Sequence, residues 1–278
     1  MQVGIFAKTF PEMGAEQSLR AVADAGYEVA QFNLACLGLP SMPDALDENI
    51  AAQVGQAAKR IGVGIAAVSA TYNMIHPDVA VRKKGMQRLE VIMQRCAAMG
   101  TSMVSLCTGT RDAEDQWRWH PDNASESAWF DLRKEMDSAV VLADRYDVVL
   151  GVEPELANVV SDAQSARRLL DEVGSARIKI IVDPANLFER ADRDERRKII
   201  EQAVDLLAQE IAMAHAKDRD TQGGFVAAGK GVVEFDHFLT RLKRANFNGP
   251  LVTHGLDASD AAAVGSFLRK TLSKVEQS

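Results

Sequence analysis

Residues 213–220 read MAHAKDRD, a short apolar run that follows a helical stretch and ends in His215, Lys217 and Asp218. A run of this length, bounded this way, reads as a buried strand with a polar end. His215 is then either a buried imidazole satisfied by a neighbour or the working end of that strand. Seven more runs share the form: Val3–Ala7, Val29–Leu34, Gly64–Ala70, Met103–Cys107, Val148–Glu153, Ile178–Asp183 and Pro250–His254, with Ile211–Ala216 holding the first. Between them lie longer stretches of helical spacing, such as Met86, Leu89, Ile92, Met93 and Cys96, or Trp129, Leu132, Met136, Val140 and Ala143. Asp78 after Pro77 starts one helix, Ser161 with Gln164 reads as a capping box, and Gly100 and Gly174 mark helix ends.

Eight strand-like runs, each followed by a helix, call for parallel strands with crossover helices. In 278 residues with no Pro/Gly/Ser-rich linker, that is the arithmetic of a single (β/α)8 TIM barrel spanning residues 1–278. The competing open sheet usually has fewer strands, and no Gly-rich phosphate loop follows the first strand. One irregular region, residues 109–127, separates the fourth strand from its helix and is expected to act as a lid.

The composition is that of a soluble globular protein, with 47% apolar and 26% charged residues. A net charge of −7 argues against nucleic acid as a partner. The basic clusters Arg82-Lys83-Lys84 and Arg196-Arg197-Lys198 read as solvated helix faces. No apolar run reaches the roughly 18 residues that span a bilayer, so no membrane is expected. Cys36, Cys96 and Cys107 form neither a disulfide framework nor a zinc spacing, which points to a cytoplasmic location.

In a barrel the active site lies at the C-terminal ends of the strands. Those ends read Lys8, Asn33, Ser69, Thr108, Glu153, Asp183, His215 and His254. Two carboxylates and two imidazoles converging on one mouth would be costly to bury without a proton or cation to share. They suit one divalent metal ion, Mn²⁺, Mg²⁺, Co²⁺ or Zn²⁺, with open positions for substrate oxygens.

Glu153 in LGVEPELAN (150–158), Asp183 in VDPANLF (182–188), His215 in HAKD (215–218) and the segment GKGVVEFDHFLTRLKRANFNGPL (229–251) resemble the sugar phosphate isomerase/epimerase family. That family belongs to the xylose isomerase-like TIM barrels, which also include endonuclease IV. The resemblance implies a metal-dependent enzyme whose ion is held by a Glu, an Asp, a His and a Glu after strands five to eight. The first three carry over onto Glu153, Asp183 and His215. Two positions depart: Asn186 stands where many members have His, and His254 where the last strand usually ends in Glu. The resemblance further implies two proton-handling groups, one on each side of the substrate carbon, here Glu153 and His254. Replacing Glu by His changes the charge of the site by one unit, while neutral imidazole can still move a proton near neutral pH.

Such a site supports isomerisation, epimerisation or dehydration of a small keto-sugar, since a bound cation stabilises the enediolate left when the α-proton departs. Candidate substrate contacts are Lys8, Asn33, Asn73, His76, Asn158, Asn186 and Lys217. Asn186 has the alternative of capping a turn, Lys217 of pairing with Asp218, and His76 of a plain loop role; Glu155 is a candidate to orient a ligand. In TGTRDAEDQWRWH (108–120), Arg111 or Arg118 would clamp an anion, or pair with Asp112, Glu114 or Asp115; Trp117 or Trp119 would stack on a sugar. Gly229-Lys230-Gly231 lacks the phosphate-loop spacing and reads as a tight turn, and His237 as structural. The rivals are a dehydratase or lyase of a keto-polyol, the endonuclease branch, which the charge and five histidines disfavour, and a non-catalytic carbohydrate-binding barrel. A homo-oligomer is what the resemblance implies.

Overall fold

The barrel is present in a computed structural model, which describes residues 1–11 and 14–277. Nine strands are described: β1 (Gln2–Phe6), β2 (Val29–Phe32), β3 (Gly64–Ser69), β4 (Met103–Cys107), β5 (Val149–Glu153), β6 (Ile178–Val182), β7 (Ile211–Arg219), β8 (Phe225–Ala227) and β9 (Pro250–Thr253). All but β8 pair in parallel, β1 through β7 in chain order and then β9, which closes the ring against β1. The helices outside are α1 (Ala15–Asp24), α2 (Glu48–Ile61), α3 (Val79–Met93), α4 (Cys96–Met99), α5 (Glu126–Tyr146), α6 (Ala163–Val173), α7 (Arg193–Leu207), α8 (Phe235–Arg244) and α9 (Ala261–Gln277). Each strand expected from the sequence falls within two residues of its run, except that β7 continues to Arg219 and turns back as a hairpin with β8.

The alternation of side chains along a strand positions the site. Inside the barrel Ala67, Met103, Ile181, Met213 and Val252 form a buried apolar cluster of their own. Two residues further along the same strands come Ser69, Ser105, Asp183, His215 and His254. The period of two thus stacks a polar layer on an apolar floor. The larger core fills the space between strands and helices.

Several local expectations shift. Asp78 caps α3 through its bond from Ala80 N, and Gly100 and Gly174 end α4 and α6 in the left-handed region. The capping box of α6, however, is Asp162 with Ser165, one residue later than Ser161 with Gln164. Asp wins because its carboxylate accepts from the Ser165 N–H while Ser165 Oγ returns to the Asp162 N–H. Arg82 is no solvated residue. It is buried, with Asp131 at 2.9 Å and Glu135 at 3.5 Å, so helical spacing alone misplaced it.

Gly85 lies in α3 beneath the ring of Tyr72, where an added Cβ would come within 2.1 Å of Tyr72 Cδ2. In a helix interior Gly→Ala ordinarily stabilises by about 0.5–1 kcal/mol. Here overpacking costs about 1–3 kcal/mol and wins. Gly85→Ala is therefore expected to lower the melting temperature, measured by circular dichroism; an increase would show that Tyr72 moves aside freely.

Candidate metal centre

Glu153 ends β5, Asp183 follows β6 and His254 follows β9, each the polar end of an apolar strand, while His215 lies midway along β7. One ligand-type atom from each lies within 4.8 Å of the other three. His215 Nδ1 is 3.1 Å from Glu153 Oε1, and His254 Nε2 is 3.2 Å from Asp183 Oδ2. The two imidazoles meet edge to face, with centroids 4.5 Å apart.

A second ring of contacts fixes these groups. His215 Nε2 lies 2.8 Å from Gln31 Oε1, while Gln31 Nε2 donates to Ser105 Oγ at 3.0 Å. With Gln31 Oε1 beside Nε2, a neutral His215 carries its proton on Nε2 and turns the Nδ1 lone pair toward Glu153 Oε1. Two acceptors 3.1 Å apart need a proton or a cation between them. Behind them Asn186 Nδ2 donates to Glu153 Oε1 at 2.7 Å, and Lys217 Nζ donates to Asn186 Oδ1 at 2.8 Å and sits 3.4 Å from Asp183 Oδ2. With neutral imidazoles, Glu153, Asp183 and Lys217 leave the cluster one net negative charge. The donor set, the directed lone pair and the charge all fit a divalent ion held by Glu153, Asp183, His215 and His254.

The protonation pattern without an ion has the same cause. Burial raises the Glu153 carboxyl, but the charge of His215 and its hydrogen bond outweigh it and hold Glu153 below the ordinary range. Burial acts against charged His215, and Glu153 overrides it and holds the imidazole above the ordinary range. Asp183 is held low because Lys217 and His254 overcome its burial. His254 goes the other way: burial and the neighbouring His215 keep it neutral. Glu155, two residues on and facing the same cavity, is pushed up to about 7 by burial, with Lys217 opposing.

The cavity above the cluster measures about 460 Å³. Lys8, Asn33, Ser105, Glu155, Lys217 and the aromatic rings of Trp117 and Phe225 are among its walls. Of the candidate substrate contacts, Lys8, Asn33 and Lys217 line it, and Asn186 is buried directly behind Glu153. Four others lie outside its lining. Asn73 and His76 line an adjoining groove and pin the 109–113 backbone, through Asn73 to Thr110 N and O and through His76 to Ala113 O. Asn158 accepts from Gly109 N at 2.6 Å. Arg111 is tied to Ile75 O and to Asp131, at 2.9 and 2.7 Å, and so neither clamps an anion in the cavity nor pairs with the acidic residues beside it. Arg118 does pair locally, with Asp112 and Glu114. Gly109, at φ +82°, allows this loop to pass against Asn73, where a Cβ would lie 2.2 Å from Oδ1.

The pairing of Lys217 with Asp218 is overturned. Strand alternation turns Lys217 toward Asp183, while the Asp218 carboxylate accepts from the backbone N–H groups of Arg219, Gly229, Gly231 and Val233. Gly229-Lys230-Gly231 is thus a turn wrapped on Asp218. His237 contacts Arg197 and is remote from the mouth. Gln31 was missed; its one signal is a polar residue inside the otherwise apolar strand VAQF.

Solved structures share this architecture. The apo 3-keto-D-glucoside 4-epimerase YcjR from E. coli is 17% identical, with all of both chains covered and a TM-score of 0.73. An L-ribulose 3-epimerase is 17% identical over 99% of this chain and 96% of its own, with a TM-score of 0.77. D-psicose 3-epimerase from Clostridium cellulolyticum, solved with D-tagatose, is 14% identical over 98% and 99%, with a TM-score of 0.76. No curated protein matches the sequence. Among the described residues no helix is long and apolar enough to cross a membrane. The model of one family, the xylose isomerase-like TIM barrels, matches residues 19–270, and with the closed barrel and its mouth in view the chain belongs to that family.

Proposed function

We propose that the protein is a metal-dependent isomerase or epimerase of a small keto-sugar or sugar derivative. The observation that carries this reading is the cluster of Glu153, Asp183, His215 and His254 on an apolar floor, beneath a cavity walled by polar and aromatic residues. The similar solved structures, epimerases of ribulose, psicose and a keto-glucoside, make keto-sugars the class to screen. When bound, a divalent ion supplies the positive charge that lowers the cost of an enediolate. Glu153, held below the ordinary carboxylate range by His215 and oriented by Asn186, accepts the α-proton. Neutral His254 is the second proton-handling group, and Lys8, Asn33 and Lys217 position hydroxyl and carbonyl oxygens. Two imidazoles among four donors favour Mn²⁺, Co²⁺ or Zn²⁺ over Mg²⁺. A cytoplasmic location belongs to the same reading, since all three cysteines are buried and free.

The test begins with elemental analysis after dialysis against trace Mn²⁺, Co²⁺, Zn²⁺ and Mg²⁺, followed by incubation of the loaded protein with ketopentoses and ketohexoses in D₂O. The expected result is about one ion per chain and deuterium incorporated beside the carbonyl. A loaded protein that binds keto-sugars without exchange is instead a carbohydrate-binding barrel, a reading kept because His254 replaces the family's carboxylate.

A further inference from the structure

We propose that the substrate is a glycosylated keto-sugar: a ketose at the metal cluster carrying a second, uncharged sugar ring that lies in a neighbouring groove. This rests on the keto-sugar reading above and narrows it. A groove of about 670 Å³ adjoins the central cavity, and the two share Thr71 and Gln116 as walls. Either volume falls within the roughly 300–1,000 Å³ that commonly takes one small ligand, so one ring at the cluster leaves the groove for another. The groove begins on the same face of the barrel, where its residues come from the segments that follow β2, β3 and β4, and runs along α3 from Ala80 to Arg88.

Its chemistry selects the occupant. Met42, Tyr72 and Val81 give it apolar surface, and Lys84, Arg88 and Asp112 give it polar edges. Lys84 and Arg88 share Asp44, Asp112 and Glu114 share Arg118, and Asp115 adds a further carboxylate, so the lining carries more negative charge than positive. A phosphate or carboxylate would have to take a cation away from an existing pair. A pyranose ring needs no such exchange, since it offers apolar C–H faces and neutral hydroxyls to a surface of this kind. At the junction Trp117, 52% exposed and next in sequence to the shared Gln116, presents an aromatic face on which a sugar can stack.

The experiment is isothermal titration calorimetry on the full chain loaded with Mn²⁺, using D-fructose, its 3-, 4- and 6-O-glucosides turanose, maltulose and palatinose, and D-fructose 6-phosphate. At least one glucoside is expected to bind about tenfold or more tightly than D-fructose. Ala80→Trp fills the groove from an exposed position on α3, with Val81→Trp as the second variant should the first fail to fold. Either is expected to erase the preference, leaving glucosides and fructose within about twofold of each other. Equal affinity for fructose and every glucoside, a preference that survives both variants, or tightest binding of the phosphate would each overturn the proposal while leaving the keto-sugar reading intact. Binding of no ketose, bare or glycosylated, would bring down both. Sedimentation velocity adds a separate outcome: a wild-type dimer that the tryptophan variants split would make the groove a contact between copies of the chain and overturn the proposal.

Discussion

Glu153→Gln is expected to reduce deuterium exchange at the substrate carbon by about 10²–10⁴. The substitution keeps the shape of the side chain and an oxygen for the Asn186 amide, so the fold should stand. It removes the proposed base and the charge that faces His215 Nδ1 at 3.1 Å. Ion retention should fall as well. The comparison that separates the two losses is Asp183→Asn, which leaves Glu153 in place but deprives Lys217 and His254 of their shared carboxylate. Metal content and exchange should be measured together on both variants, at saturating Mn²⁺. Exchange by Glu153→Gln within about twofold of wild type, with the ion bound, would move the base to another residue.

The largest expected loss of stability is at Asp218. Its side chain is fully buried and accepts from four backbone N–H groups, those of Arg219, Gly229, Gly231 and Val233. Asp218→Ala leaves all four without their acceptor. A hydrogen bond to a charged group contributes about 1.5–3 kcal/mol, but relaxation of the loop and entry of water offset part of the sum, so about 3–5 kcal/mol is expected. At this chain length that lowers the melting temperature by roughly 10 °C. Asp218→Asn retains one acceptor oxygen and should lose less. A change below about 1 kcal/mol by chemical denaturation would mean that the loop folds independently of this carboxylate.

The strands and the four metal-binding candidates were legible because both depend on local pattern. An apolar run that ends in a polar residue can be read without knowing its neighbours, and eight of them in order restrict the topology to a barrel. What could not be read depends on which strands lie side by side. Gln31 meets His215 across 184 positions of sequence, a contact made by the closure of the barrel and by no motif. Arg111 looked available among nearby acids, yet its partner is Asp131 on α5, twenty residues away. Arg82 shares that carboxylate, and the pair ties α3 to the 109–113 loop and α5. Lys217 and Asp218 are adjacent in sequence and opposed in direction, so adjacency gave the wrong partner. Asp218 itself carried no signal beyond its place after Lys217, because the backbone it organises comes from residues 229–233.

The apolar floor of the barrel has a kinetic corollary. Ala67, Ile181, Met213 and Val252 are entirely buried and Met103 nearly so, which closes the barrel beneath the site. On the proposed reading an ion and a sugar would both come from the mouth side. The ion would then enter before the sugar and leave after it, with the sugar between it and any chelator outside.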